Sequence, residues 1–278
     1  MMEMYSQVCS DCSRLITQRY STSFTLGIKT LSAPLREPIY SIYGFVRCAD
    51  EIVDTFHQYD KQSLLSQFKT HTYEAIFNGI SLNPVLHAFQ EVVNRYSIDH
   101  DLIEAFLRSM EMDLYHQDYS QDLYKEYIYG SAEVVGLMCL QVFCNGDKQQ
   151  YEELKEPAKA LGSAFQKVNF LRDMQSDYQE RGRIYFPGID FDQFSNQVKA
   201  EIEQDIERDF DMAFEGIMKL PEGAKWGVFL AYTYYRNLFN RIKLADASLL
   251  RHKRIRVPDP KKLYLLVASY FQLQLRLF

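Results

Sequence analysis

Helix-breaking residues are scarce in this sequence, and their placement leaves room for little except long helices. Only 12 glycines and 8 prolines punctuate 278 residues, both below the average share. Breaks are expected at Gly79 to Pro84, Asn145-Gly146, Gly182 to Gly188, Pro221 to Gly223 and Pro258 to Pro260. Between them helix is predicted over roughly 61–77, 84–96, 99–116, 121–145, 147–180, 193–219, 224–251 and 260–277. Ser32, Pro34 and Pro38 open a further helix that runs to about Phe56, and Asp99 and Asp147 stand where caps belong. No repeat, low-complexity tract or composition shift divides the chain, so an all-α fold in a single domain over 1–278 is expected.

Composition narrows the function classes. With 47% hydrophobic residues, 20 Tyr and 19 Phe, the chain can build an aromatic core or wall a long apolar cavity. Net charge is −6 and no block of basic residues is read along the chain, which excludes nucleic acid as a partner. An anionic substrate would then need metal ions to offset the carboxylates. No apolar run approaches the ~20 residues that span a bilayer. The start, Met1–Ile16, lacks an apolar signal core, so a cytoplasmic protein is expected. Cys9 and Cys12 form a lone CxxC with no second pair and no nearby His, so no zinc site is expected.

Two acidic stripes run where a core should be. In Ile39–Val53, Ile39, Ile42, Val46 and Val53 mark an apolar face. At about 100° per residue, Tyr43, Arg47, Asp50 and Asp54 fall in an adjoining arc of roughly 60°. Carboxylates four apart stack one turn above the other and repel unless a cation bridges them. In the second segment Gly162, Gln166, Asn169, Asp173 and Asp177 fill a similar arc, flanked by Phe165 and Phe170. Asn169, Asp173 and Asp177 make an oxygen-only set, which suits Mg²⁺ over Zn²⁺, with Mn²⁺ as the alternative. Each stripe carries an arginine, Arg47 or Arg172. Metal and arginine together suit departure of a diphosphate from an allylic carbon. Neither a Ser-His-Asp nor a Cys-His set is visible, and no GxGxxG or Walker loop supports nucleotide chemistry.

These residues resemble the phytoene/squalene synthase family over roughly 5–275. The matching pieces are YSTSF (Tyr20–Phe24), YGFVRCADEIVD (Tyr43–Asp54), YGSAEVVG (Tyr129–Gly136), FQKVNFLRDMQSD (Phe165–Asp177), RGRIYFP (Arg181–Pro187) and KRIRVP (Lys253–Pro258). The resemblance implies an isoprenoid-synthase helical fold around a central cavity. It implies that Asp50 and Asp54 bind Mg²⁺–diphosphate on one wall and Asn169, Asp173 and Asp177 on the other. Ser21, Arg47, Arg172 and Arg254 would hold phosphate oxygens, with Tyr235 close by. Phe24, Tyr43, Tyr129 and Gln166 would line the cavity near the reacting carbons, Tyr129 steadying a carbocation or else packing, and Tyr185 would close over it.

Family members join two identical prenyl diphosphates head to head through a cyclopropylcarbinyl diphosphate. The sequence departs from some relatives at Tyr20 (His in some C30-forming ones), Thr22 (often Lys), Glu133 (Gly in several) and in the DMQSD motif. Tyr20 with GSAEVVG is closer to bacterial phytoene synthases, which implies two geranylgeranyl diphosphates, phytoene as product and no NADPH. The alternatives are a C30 squalene or dehydrosqualene synthase using farnesyl diphosphate, an inactive helical interaction protein of the same fold, and, disfavoured by motif spacing, a terpene cyclase. Monomer and homodimer are both open. The greasy product makes peripheral contact with the inner membrane face an expectation, with Leu263–Phe278 as the candidate contact.

Overall fold

The structure is a computed structural model that describes residues 1–115 and 119–275. Among these the chain is helical and holds no β-strand. The order is α1 (Met2–Tyr20), α2 (Thr22–Lys29), α3 (Ala33–Asp54), α4 (Lys61–Asn78), α5 (Pro84–Tyr96), α6 (His100–Tyr115) and α7 (Gln121–Ile128). A π-helical turn (Tyr129–Glu133) leads into α8 (Val134–Cys144). Then follow α9 (Lys148–Arg181), α10 (Asn196–Lys219), α11 (Glu222–Lys243), α12 (Ala247–Leu250) and α13 (Asp259–Leu275).

Most breaks fall where the punctuation predicts. Ser21, Asp60, Asn83, Ser120, Asp147 and Ser195 each cap a following helix by accepting a backbone N–H. Two expectations need correction. The single helix predicted over 121–145 is interrupted by the π-helical turn, and the one predicted over 224–251 ends at Lys243, with α12 as a separate turn. The last residues of the helices predicted to 116 and 277 lie outside the described residues.

One apolar cluster joins α3, α5 and α6, where Phe45 stacks on Phe89 at 3.9 Å and meets Phe106 at 5.4 Å. A second, aromatic one gathers α7, α9, α10 and α11 around Phe170, Tyr185, Phe210 and Phe239. Between them α2, α3, α8, α9, α10 and α11 enclose an apolar cavity of about 320 Å³. Helix α9, 34 residues and so about 50 Å long, forms one wall of it. Gly162 lets α9 approach the π-helical turn, since a Cβ there would lie 2.6 Å from the Ala132 carbonyl oxygen.

Residues Gln121–Cys144 are, by length and composition, apolar enough to cross a membrane, contrary to the expectation that no such run exists. Half of the apolar window is buried, and Val135, Gly136, Cys139, Leu140 and Phe143 face the cavity, so this segment is a wall of the fold.

Candidate active site

The two acidic stripes lie across from each other at one end of the cavity. Asp50 and Asp54 occupy the last turn of α3, and Asp173 and Asp177 lie near the end of α9. Arg181 spans the gap, reaching Asp54 Oδ2 at 3.2 Å and donating to Asp177 Oδ1 at 2.7 Å. Arg183 reaches Asp54 Oδ1 at 3.1 Å. Both arginines are aimed by Gly182, which ends α9 at φ +66°, a conformation that favours glycine. Its turn lets the Arg183 N–H donate to the Asp177 carbonyl at 2.9 Å.

Further arginines surround the acids. Arg47 pairs with Asp50 and Glu51, and its guanidinium sits 4.3 Å from the Tyr20 ring centroid. Arg172 forks onto Asp173, with Nε 3.0 Å from Oδ1. Arg254 adds a contact from Nε to Asp173 Oδ1 at 2.7 Å. Burial pushes the Asp50 carboxyl up to about 6, with Asp54 adding to it and Arg47 opposing. Asp177 also rises to about 6, through burial and then Asp173, against the pull of Arg181. Carboxylates so placed gain from any cation brought between them.

Below the acids the surface turns apolar. Phe24, Tyr43, Gln166, Asn169 and Tyr235 line the cavity. Phe165 and Tyr235 stack at 3.8 Å, and Phe24 lies 5.7 Å from Tyr43 and 6.1 Å from Tyr235. Tyr235 Oη donates to Asn169 Oδ1 at 3.2 Å, and Gln166 Nε2 to Ser131 Oγ at 3.2 Å on the π-helical turn. Burial pushes the Tyr43 phenol up to about 12, opposed by Arg47. Ser21 caps α2 at the edge of the site, and Lys262 of α13 donates to Thr22 Oγ1 at 2.9 Å. An ammonium thus reaches the position where the resemblance expects lysine.

The structure separates two expected residues from this group. Tyr129 does not line the cavity; it opens the π-helical turn and is 37% exposed. The wider turn changes which side chains face inward, and Tyr127, two residues earlier, is the buried one. Tyr185 does not close over the cavity either. It is buried beside α9, stacked on Phe170 at 4.2 Å and 5.1 Å from Tyr127. Its Oη donates to Asp113 Oδ1 at 3.3 Å.

Asp113 is the centre of a network absent from the sequence-based expectations. It accepts from Tyr127 Oη at 2.8 Å and Tyr119 Oη at 3.4 Å, and pairs with Arg183 at 3.3 Å. Burial pushes its carboxyl up to about 7 even though Arg183 opposes the rise. A signal existed: Phe106, Met110 and Asp113 follow helical spacing, so an acid stands on an apolar face of α6. Arg181 and Arg183 lie within the RGRIYFP motif, and only their partners were hidden.

Comparison with known proteins agrees with this arrangement. The family model described as squalene/phytoene synthase matches residues 17–261. The 15-cis-phytoene synthase of Synechococcus elongatus is 30% identical over 288 residues, covering 93% of this chain and 91% of that protein. The chloroplastic phytoene synthase 2 of Solanum lycopersicum is 29% identical over 287 residues, covering 96% and 91%. Among solved structures, a dehydrosqualene synthase in complex with ligand superposes with a TM-score of 0.81 at 24% identity, over 97% of this chain and 98% of that one. Squalene synthase HpnC from Alicyclobacillus acidocaldarius gives 0.75 at 19% identity, over 86% and 94%. At those identities the structural likeness establishes the fold, and the match of the family model carries the rest: the chain belongs to the squalene/phytoene synthase family.

Proposed function

We propose that this chain, acting as a single catalytic domain, joins two geranylgeranyl diphosphates head to head, through prephytoene diphosphate, to give phytoene. The observation that carries the reading is the cavity itself: an apolar, ring-lined chamber with facing acids and arginines at one end. The relatives named phytoene synthase support the C40 chain length.

The donor set fits a divalent cation. Asp50 and Asp54 on α3, and Asn169, Asp173 and Asp177 on α9, would hold Mg²⁺ or Mn²⁺ through oxygen. Mg²⁺ is commonly held by one or two carboxylates plus substrate phosphates, and oxygen donors of this kind are what the two helices present. When bound, the cation supplies charge neutralisation on the leaving diphosphate.

The chain's own residues do the remainder. Arg47, Arg172 and Arg254, with Ser21 nearby, present donors to phosphate oxygens as negative charge builds on them. Tyr43 stays protonated at neutral pH and can donate without adding charge. Phe24, Phe165 and Tyr235 line the chamber, where aromatic rings stabilise a carbocation by the cation–π effect. Few polar groups interrupt the lining, so water that would quench the cation is excluded. No reductant is required for this product. Incubation with each prenyl diphosphate and Mg²⁺, followed by hydrocarbon analysis, should give C40 product from geranylgeranyl diphosphate. C30 product alone, from farnesyl diphosphate, overturns the chain length.

A further inference from the structure

Helix α13 turns an apolar face away from the protein. Leu263, Tyr264, Val267, Tyr270, Phe271 and Leu275 are each 42–62% exposed. At about 100° per residue they fill an arc of roughly 140°, and from first to last they span about 18 Å of helix. The opposite face is already satisfied. Leu265 packs on Leu230 and Tyr234 of α11, and buried Ser269 accepts from Trp226 Nε1 at 3.3 Å. The exposed stripe lies on the side of α13 away from these contacts.

Charge around the stripe selects its occupant. Residues 251–262 carry six arginines and lysines against one acid, in a chain of net charge −6, a basic run contrary to the expectation that the chain holds none. Lys253, Arg256 and Lys261 are exposed, and Lys261 Nζ sits 4.5 Å from the Tyr264 ring centroid, at the edge of the stripe. No acid follows between Lys261 and Leu275. An aromatic-rich apolar face beside a cationic rim is the pattern of a helix lying in a lipid interface. Pairing this face with the same face of a second copy would offer neither cationic rim a carboxylate, because no acid stands between Lys261 and Leu275.

We infer that α13 docks this protein on an anionic lipid surface, with its axis in the plane of the headgroups. The inner side of α13 adjoins the cavity wall. Leu273 packs against an apolar cluster that includes Leu140, Leu154 and Leu220, and those three line the cavity. The lipid surface would then lie one helix layer from the chamber, a short path for an apolar product. The docking face stands on geometry and charge, without reference to which prenyl chain is used.

The test is flotation of the full chain with vesicles of phosphatidylcholine alone or with about one-third phosphatidylglycerol. Binding is expected to the anionic vesicles and to weaken as salt shortens the Debye length. The variant Tyr264→Ser/Val267→Ser/Phe271→Ser should lose about tenfold or more of that binding. Lys253→Gln/Arg256→Gln/Lys261→Gln should remove the preference for anionic lipid. Phe77→Ser/Leu82→Ser, at apolar residues 91% and 94% exposed elsewhere, should bind as wild type. Unchanged helical circular dichroism and melting temperature establish that each variant is folded. Equal flotation of wild type and the α13 variant overturns the inference, as does equal binding to neutral vesicles. So does a wild-type dimer that fails to float and that the α13 variant dissociates. Flotation uses no substrate, so failure of the phytoene assignment and failure of docking are read in separate experiments.

Discussion

Replacing Asp113 by alanine should loosen the fold and the diphosphate end of the site together. Its side chain is 3% exposed, accepts from three tyrosines at 2.8–3.4 Å and pairs with Arg183 at 3.3 Å. At pH 8, where the Asp113 carboxyl is ionised, breaking a buried ion pair from one side costs about 3–5 kcal/mol, because the remaining charge is left uncompensated. Arg183 retains three partners, Asp54 at 3.1 Å, Tyr185 Oη at 3.2 Å and the main-chain carbonyl oxygen of residue 113 at 2.7 Å, which places the expected loss near the lower bound, about 3 kcal/mol. Unfolding entropy for 278 residues is about 0.6 kcal/mol per kelvin, so the melting temperature should fall by about 5 °C.

Asparagine at the same position keeps an acceptor and should lose about half as much or less. The pH dependence supplies a second check. The folded carboxyl is raised from 3.8 to about 7, so the native state holds the extra proton between those values. Stability contributed by this group is then full at low pH and declines as pH rises through about 7. Asparagine does not titrate, and the gap between wild type and Asp113→Asn should narrow from pH 4 to pH 7. Scanning calorimetry from pH 4 to pH 8 measures both effects. A melting temperature for Asp113→Ala within about 1 °C of wild type, or a gap that widens with pH, would refute the network as the anchor of Arg183.

Other outcomes follow from the same geometry. Asp50→Asn and Asp173→Asn should each lower kcat by roughly 10²–10³-fold, read as diphosphate release; unchanged release in both removes the metal mechanism. Asp50 and Asp177 have folded values raised to about 6, so their contribution to the stability of the ligand-free protein falls as pH rises from about 4 through 6. Because binding needs the ionised acids, Mg²⁺ with inorganic diphosphate should raise the melting temperature more at pH 7.5 than at pH 5, as followed by thermal shift. Gly162→Ala places a Cβ 2.6 Å from the Ala132 carbonyl oxygen. Such overpacking costs about 1–3 kcal/mol and should lower the melting temperature; no change by calorimetry would mean the two helices separate freely.

What the sequence discloses and what it withholds follow from the range of the interactions involved. The acid stripes were legible because Asp50 with Asp54, and Asn169 with Asp173 and Asp177, share one helix, where spacing alone sets their relation. That the stripes face each other needs the tertiary fold. The arginines that join them were legible only as a motif. Arg183 meets Asp54 across 129 positions, and it does so because Gly182 turns the chain at the end of α9. Tyr129 and Tyr127 show the limit at short range as well. They lie two residues apart, and a regular α-helix would give no warning that a π-helical turn exposes the first while the second remains buried. Asp113 is the instructive omission. Its place on the apolar stripe of α6 was visible, yet an acid at such a position is normally costly unless paired. The cost should itself have pointed to a distant cation, and RGRIYFP held the nearest unassigned ones. An unexplained acid on a buried face and an unexplained arginine in a motif thus form one question, and the Arg183–Asp113 pair answers both halves.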